Sequence, residues 1–181
     1  MVIQCDTRQQ MGKKHHKIKE QWFLDHGHEV VKSKCLVGDY ICPSNGSVSV
    51  DTKQNCTELY NDLITDHKRF SAECQNAQKY GIKLYVLVEN DKGFKKPRDI
   101  LNWKNPQIYR YWKAKREAEK EGKKPPKPPA SNIQLIKIMH TMSKKYDVVF
   151  EFCRTEDAGQ RIVELLTGKE NGDGRTVEET Q

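Results

Sequence analysis

Asp39, Asp51 and Lys53 place two carboxylates and an ammonium within one short stretch, a set suited to metal-assisted hydrolysis of a phosphodiester. The second half of the stretch reads Val48-Ser49-Val50-Asp51-Thr52-Lys53. On an extended strand alternate side chains share a face, so Asp51 and Lys53 point one way while Val48 and Val50 point into a core. A turn at Pro43-Ser44-Asn45-Gly46 folds the preceding segment back and brings Asp39 across from Asp51. Converging carboxylates repel each other unless a cation lies between them, and oxygen ligands favour a hard ion such as Mg²⁺ or Mn²⁺. A lysine beside that ion can orient a water for in-line attack or offset charge developing on phosphate. The competing reading is a hairpin with charged residues on its wet face.

Periodicity outlines the elements that must carry these groups. A short apolar strand starts at Val2 and ends in Asp6, and further strands are predicted around 29 to 42 and 47 to 53. Lys83 to Glu89 is too apolar to be half wet and reads as a central strand buried on both faces. Between Gly12 and Gly27, Ile18, Trp22 and Phe23 recur at helical spacing. His15 and His16 in that helix diverge by about 100°, which favours a solvated basic face over a metal pair. Cys56 to Tyr80 carries Leu59, Leu63, Phe70 and Ala77, one broken helix or two. Ser131 or Asn132 caps a helix bearing Leu135, Ile136, Met139 and Met142. A strand over Asp147 to Phe152 and a helix from Thr155, with Ala158, Ile162, Leu165 and Leu166 on one face, complete the pattern. This alternation predicts an α/β fold, a mixed central sheet flanked by helices, in one domain spanning 1–168. The polar, glycine-bearing segment 169–181 reads as a disordered tail.

The positive charge is local. Lys92 to Lys127 holds thirteen Lys or Arg against four Asp or Glu, a net +9, whereas the whole chain carries +7. Such a balance suits an anionic partner, nucleic acid first. Within this insertion, over 92–130, Trp103, Tyr109, Tyr111 and Trp112 interleave with Lys104, Arg110, Lys113, Lys115 and Arg116, a mixture able to stack on bases and hold phosphates. The alternative is that the aromatics pack the insertion onto the core while its lysines stay solvated. Ala114 to Glu121 reads as a charged helix and Pro125-Pro126-Lys127-Pro128-Pro129 as an extended spacer. The six cysteines include no Cys-x-x-Cys pair, which speaks against a zinc ribbon and for buried free thiols in a reducing cytosol. No signal-like or membrane-spanning apolar run is present.

Five ordered motifs resemble the nuclease domain of the xeroderma pigmentosum group F (XPF) family, a branch of the PD-(D/E)XK, restriction-endonuclease-like superfamily. They are Asp6-Thr-Arg8-Gln9, Gly38-Asp39-Tyr40, Asp51-Thr52-Lys53 with Glu58, Arg69-Phe70, and Val86-Leu-Val-Glu89. The resemblance runs from about Val2 to Gly168 with one insertion. Three positions depart from the family pattern: Gln9 stands where the family has Glu, Thr52 where it has Arg, and Glu58 lies one residue further from Lys53 than the family's acid. Asp51 in place of Glu keeps the charge with a shorter reach.

The resemblance implies a Mg²⁺- or Mn²⁺-dependent endonuclease acting on branched or junction DNA. Asp39 and Asp51 would be metal ligands, with the Thr52 carbonyl a third, and Lys53 would position the attacking water. Asp6 would support a second metal or orient the lysine. DNA contacts are expected from Arg8, Lys68 and Arg69 and from Trp103, Arg110, Trp112, Lys113, Lys115 and Arg116 of the insertion. Members of the family commonly pair, and Leu135, Met139, Ile162 and Leu166 are expected to supply a homodimer surface. The family usually appends a helix-hairpin-helix domain, for which 169–181 is too short, so the expectation is a stand-alone enzyme in the cytoplasm of a prokaryotic or phage-infected cell. A catalytically silent DNA-binding or partner module on the same fold is the alternative, and a Holliday-junction resolvase or restriction-type nuclease a third.

Overall fold

The longest strand is the one that carries the candidate chemistry. In the computed structural model, which describes residues 1–8 and 14–168, β4 runs from Asn45 to Lys53, antiparallel to β3 (Tyr40–Cys42) and parallel to β5 (Lys83–Glu89). β1 (Val2–Cys5) lies antiparallel to β3 and parallel to β2 (Glu29–Lys32), and β6 (Val149–Cys153) lies parallel to β5. The mixed six-stranded sheet has the order β2-β1-β3-β4-β5-β6. β5 is interior and buried over most of its length, as its near-continuous apolar run predicts.

Strand parity divides the core in two. Val50 and Leu87 face α1 (Lys14–Asp25) and α6 (Ala158–Thr167), together with Phe23, Ile162 and Leu166. Val86 and Val88 face the other layer, made by α2 (Cys56–Tyr60), a π-helical turn at Asn61–Thr65, α3 (His67–Lys79) and α5 (Asn132–Tyr146). Each end of α5 has a local cause. Ser131 caps the first turn in a reciprocal box with Gln134, and Asp147 leaves the last turn in the left-handed region at φ 55°.

Several expectations need correction. The segment 29 to 42 is two short strands, because the loop between them needs Gly38 at φ +66°. α1 turns Ile18 outward and buries Lys19, whose ammonium is paired with Glu89 of β5. His16 is buried against the cleft described below and is not on a solvated face. The charged helix, α4, starts earlier than Ala114 and spans Pro106–Lys120, with Asn105 as its cap. Leu135, Met139, Ile162 and Leu166 lie inside the chain's own two cores, so they offer no surface to a second copy. All six cysteines are free, five of them buried. Gln9 and the tail 169–181 fall outside the described residues.

Candidate active site

The β3–β4 pairing sets Tyr40 opposite Val50, and just beyond it the Asp39 amide donates to the Val50 carbonyl at 2.9 Å. Asp39 therefore stands beside Asp51 and Thr52. Its Oδ2 accepts from the Thr52 amide at 2.8 Å and from the Thr52 hydroxyl at 2.7 Å. Gly38 makes this approach possible: a Cβ there would lie 2.4 Å from Ser49 Oγ and 3.1 Å from the Val50 carbonyl oxygen. The Ser49 hydroxyl cannot simply swing away, since it is buried and donates to the Val37 carbonyl at 2.8 Å.

Asp51 and Lys53 share one face of β4, both about 5% exposed. Lys53 Nζ lies 2.6 Å from Asp51 Oδ2 and 2.7 Å from Asp62 Oδ2. The contact with Asp51 is a buried ion pair in which the ammonium sits directly on Asp51 Oδ2. Burial pushes the Asp51 carboxyl well above the usual carboxylate range; Lys53 opposes the shift, and Asp39 and Glu73 add to it. Burial alone would depress Lys53, but Asp51, Asp62 and Asp39 outweigh it and hold the ammonium charged.

Asp62 and Glu73 are the residues that the sequence pattern does not single out. Asp62 projects from the π-helical turn, and its other oxygen is paired with Arg69 of α3. Glu73, one turn on, lies 3.8 Å from Arg69 and accepts from the Gly38 amide at 3.0 Å. The (i, i+4) spacing of Arg69 and Glu73 is a readable signal. Asp62 has no such signal, because its partners come from β4 and α3. Glu58, the acid carried over from the motif, instead accepts from the Gln54 amide at 2.8 Å.

Asp6 lines the cleft but does not touch Lys53. Its carboxylate is occupied by the Arg8 amide (2.7 Å), Arg8 Nε and Nη2 (2.8 Å each) and the Cys35 amide (2.7 Å). Burial by itself would raise this carboxyl; the hydrogen bonds from Arg8 and Cys35 prevail and hold it below the usual range. Of the two, it is Asp62 and not Asp6 whose carboxylate meets the Lys53 ammonium.

These groups line an open cleft of about 540 Å³, with Arg8 and Arg69 each about 60% exposed at its rim. Lys68 is exposed beside Arg69 on α3. Trp103 is half-buried, its ring 6.2 Å from that of Tyr60 and its carbonyl accepting from Asn132, so it packs the insertion onto the body. Tyr109, Arg110, Trp112, Lys113 and Arg116 are exposed on α4, and Lys115 is partly so. Among the described residues no three His, Cys, Asp or Glu side chains form a metal cluster. Asp39 and Asp51 nevertheless fit a hard cation that keeps most of its water, since both carboxylates line one cleft, repel each other, and burial destabilises the charge on Asp51.

The fold is XPF-like, a mixed six-stranded sheet flanked by helices. XPF from Aeropyrum pernix superposes with a TM-score of 0.56 at 15% identity over all of this chain and 67% of its own. XPF from Aeropyrum pernix in complex with DNA gives 0.57 at 16% identity over 98% of this chain and 69% of its own. No family model matches the chain, and no curated protein does. No helix among the described residues is long and apolar enough to cross a membrane.

Proposed function

We propose that the protein is a divalent-cation-dependent endonuclease that hydrolyses phosphodiesters in branched or junction DNA. The observation that carries this reading is the meeting of Asp39, Asp51 and Lys53 in one open cleft, with Asp51 buried and destabilised in its charged form by that burial and by Asp39. Asp39, Asp51 and the Thr52 carbonyl would hold Mg²⁺ or Mn²⁺. Bound there, such an ion supplies Lewis acidity toward a phosphoryl oxygen. Lys53, kept charged by its carboxylates, donates a hydrogen bond to the attacking water or to the phosphate, and Asp62 fixes where that ammonium sits. Arg69 and Arg8 present guanidinium groups at the rim, where a phosphate can exchange for part of their carboxylate pairing, and Lys68 adds a charge beside them.

Labelled flap, fork, four-way junction, single-stranded and duplex DNAs, incubated with and without Mg²⁺ or Mn²⁺, test this directly. Cleavage of branched substrates that needs the ion and disappears in Asp39→Asn and Asp51→Asn is the expected result. Either variant cutting at the wild-type rate under saturating Mg²⁺ overturns the metal assignment. Retained DNA binding with no cleavage of any substrate by the wild type would instead identify a silent DNA-binding module.

A further inference from the structure

α4 buries none of its fifteen residues, yet it carries two large aromatic side chains in water, Tyr109 at 71% and Trp112 at 51% exposure. A helix with no packed face gains nothing from such residues unless something covers them. Tyr109, Trp112 and Arg116 follow the i, i+3, i+7 spacing that lines up one helix face. The Trp112 ring is held in place while half exposed: the Lys115 ammonium lies 5.1 Å over it, and Tyr111 meets it edge-on at 5.3 Å. From Pro106 to Arg116 the helix has four cations and no acid. The segment that leads into the helix lies next to the cleft. Lys92, Phe94 and Trp103, which precede α4, line a pocket with Gln54, Asn55 and Thr57, and Gln54 lines the active-site cleft as well.

We propose that α4 is a clamp for a single-stranded DNA arm leaving the cleft, stacking bases on Tyr109 and Trp112 while Arg110, Lys113 and Arg116 pair with phosphates. The proposal rests on the DNA reading above. The cations match a polyanion, and the aromatic rings select the strand type: base faces are open to stacking in a single strand and closed in a duplex. An acidic peptide would use the cations and leave the rings idle.

Binding of the full chain to labelled oligothymidylate and to duplex of equal length, measured by anisotropy in EDTA across a salt series, tests the clamp without cleavage. Because the residues are exposed, variants should keep the wild-type melting temperature. Tyr109→Ala with Trp112→Ala should weaken oligothymidylate binding on the order of tenfold per ring at unchanged salt slope, and leave duplex affinity where it was. Arg110→Ala, Lys113→Ala and Arg116→Ala together should weaken binding and flatten the single-strand slope by about 0.7 per lost phosphate contact. Oligothymidylate should quench fluorescence in the wild type and not in Trp112→Phe. Wild-type oligothymidylate affinity in the aromatic variant, an equal loss on duplex, or competition by polyglutamate as effective as by DNA would each overturn the clamp. Asp51→Asn should bind like the wild type, so loss of ion-dependent cleavage and loss of the clamp are read separately.

Discussion

Asp62 Oδ2 lies 2.7 Å from Lys53 Nζ, reaching it from a π-helical turn packed against the strand that carries the lysine. π turns are uncommon and often mark functional sites, and this one carries the carboxylate that meets Lys53. Lys53 is thereby shared between two buried carboxylates, and Arg69 balances the second. The arrangement keeps the ammonium charged without committing it to one partner.

Lys53→Ala should lower cleavage by at least about a hundredfold, as losing a transition-state electrostatic group commonly does. Asp62→Asn should lower kcat by less while leaving KM for DNA nearly unchanged, because it frees a lysine that still carries its charge. Steady-state kinetics separate the two, and Asp62→Glu should restore part of the rate. Equal losses in Asp62→Asn and Lys53→Ala would make Asp62 a participant and not a positioning residue.

Gly38→Ala should cost about 1–3 kcal/mol, since the new methyl meets a pinned hydroxyl and the φ of +66° is unfavourable for it. Activity should fall further than stability, because the strain is released by moving Asp39, the next residue. Denaturant unfolding and cleavage assays on the same preparation check both parts; an unchanged unfolding midpoint would show that the loop relaxes freely.

Lys19 and Glu89 are both fully buried and paired on the sheet face opposite Lys53. Lys19→Met alone should cost about 3–5 kcal/mol by stranding a carboxylate, whereas Lys19→Met with Glu89→Leu should recover most or all of it. Burial raises the Glu89 carboxyl, with Lys19 partly offsetting the shift. A raised acid holds its proton more tightly in the fold than in the unfolded chain. Its contribution to stability therefore falls as pH rises from the usual carboxylate value, about 4.3, through the raised folded one. Unfolding midpoints measured across that range should show this descent in the wild type and lack it in the double variant.

What the sequence determined by itself is what depends on neighbours along the chain. Strand parity in Val48 to Lys53 assigns Val50 to one core and Asp51 with Lys53 to the opposite face, because alternation is a property of any extended backbone. The apolar run of β5 likewise foretells an interior strand. Only the tertiary structure decided which charges meet. Asp6 is closed off by the Cys35 amide, Asp62 meets the lysine that Asp6 was expected to meet, and Trp103 packs against the core while Trp112 stays in water. Such pairings depend on the angle at which a π turn or an inserted helix leaves the sheet. No periodicity encodes that angle, because it is set by the packing of side chains far apart in the chain.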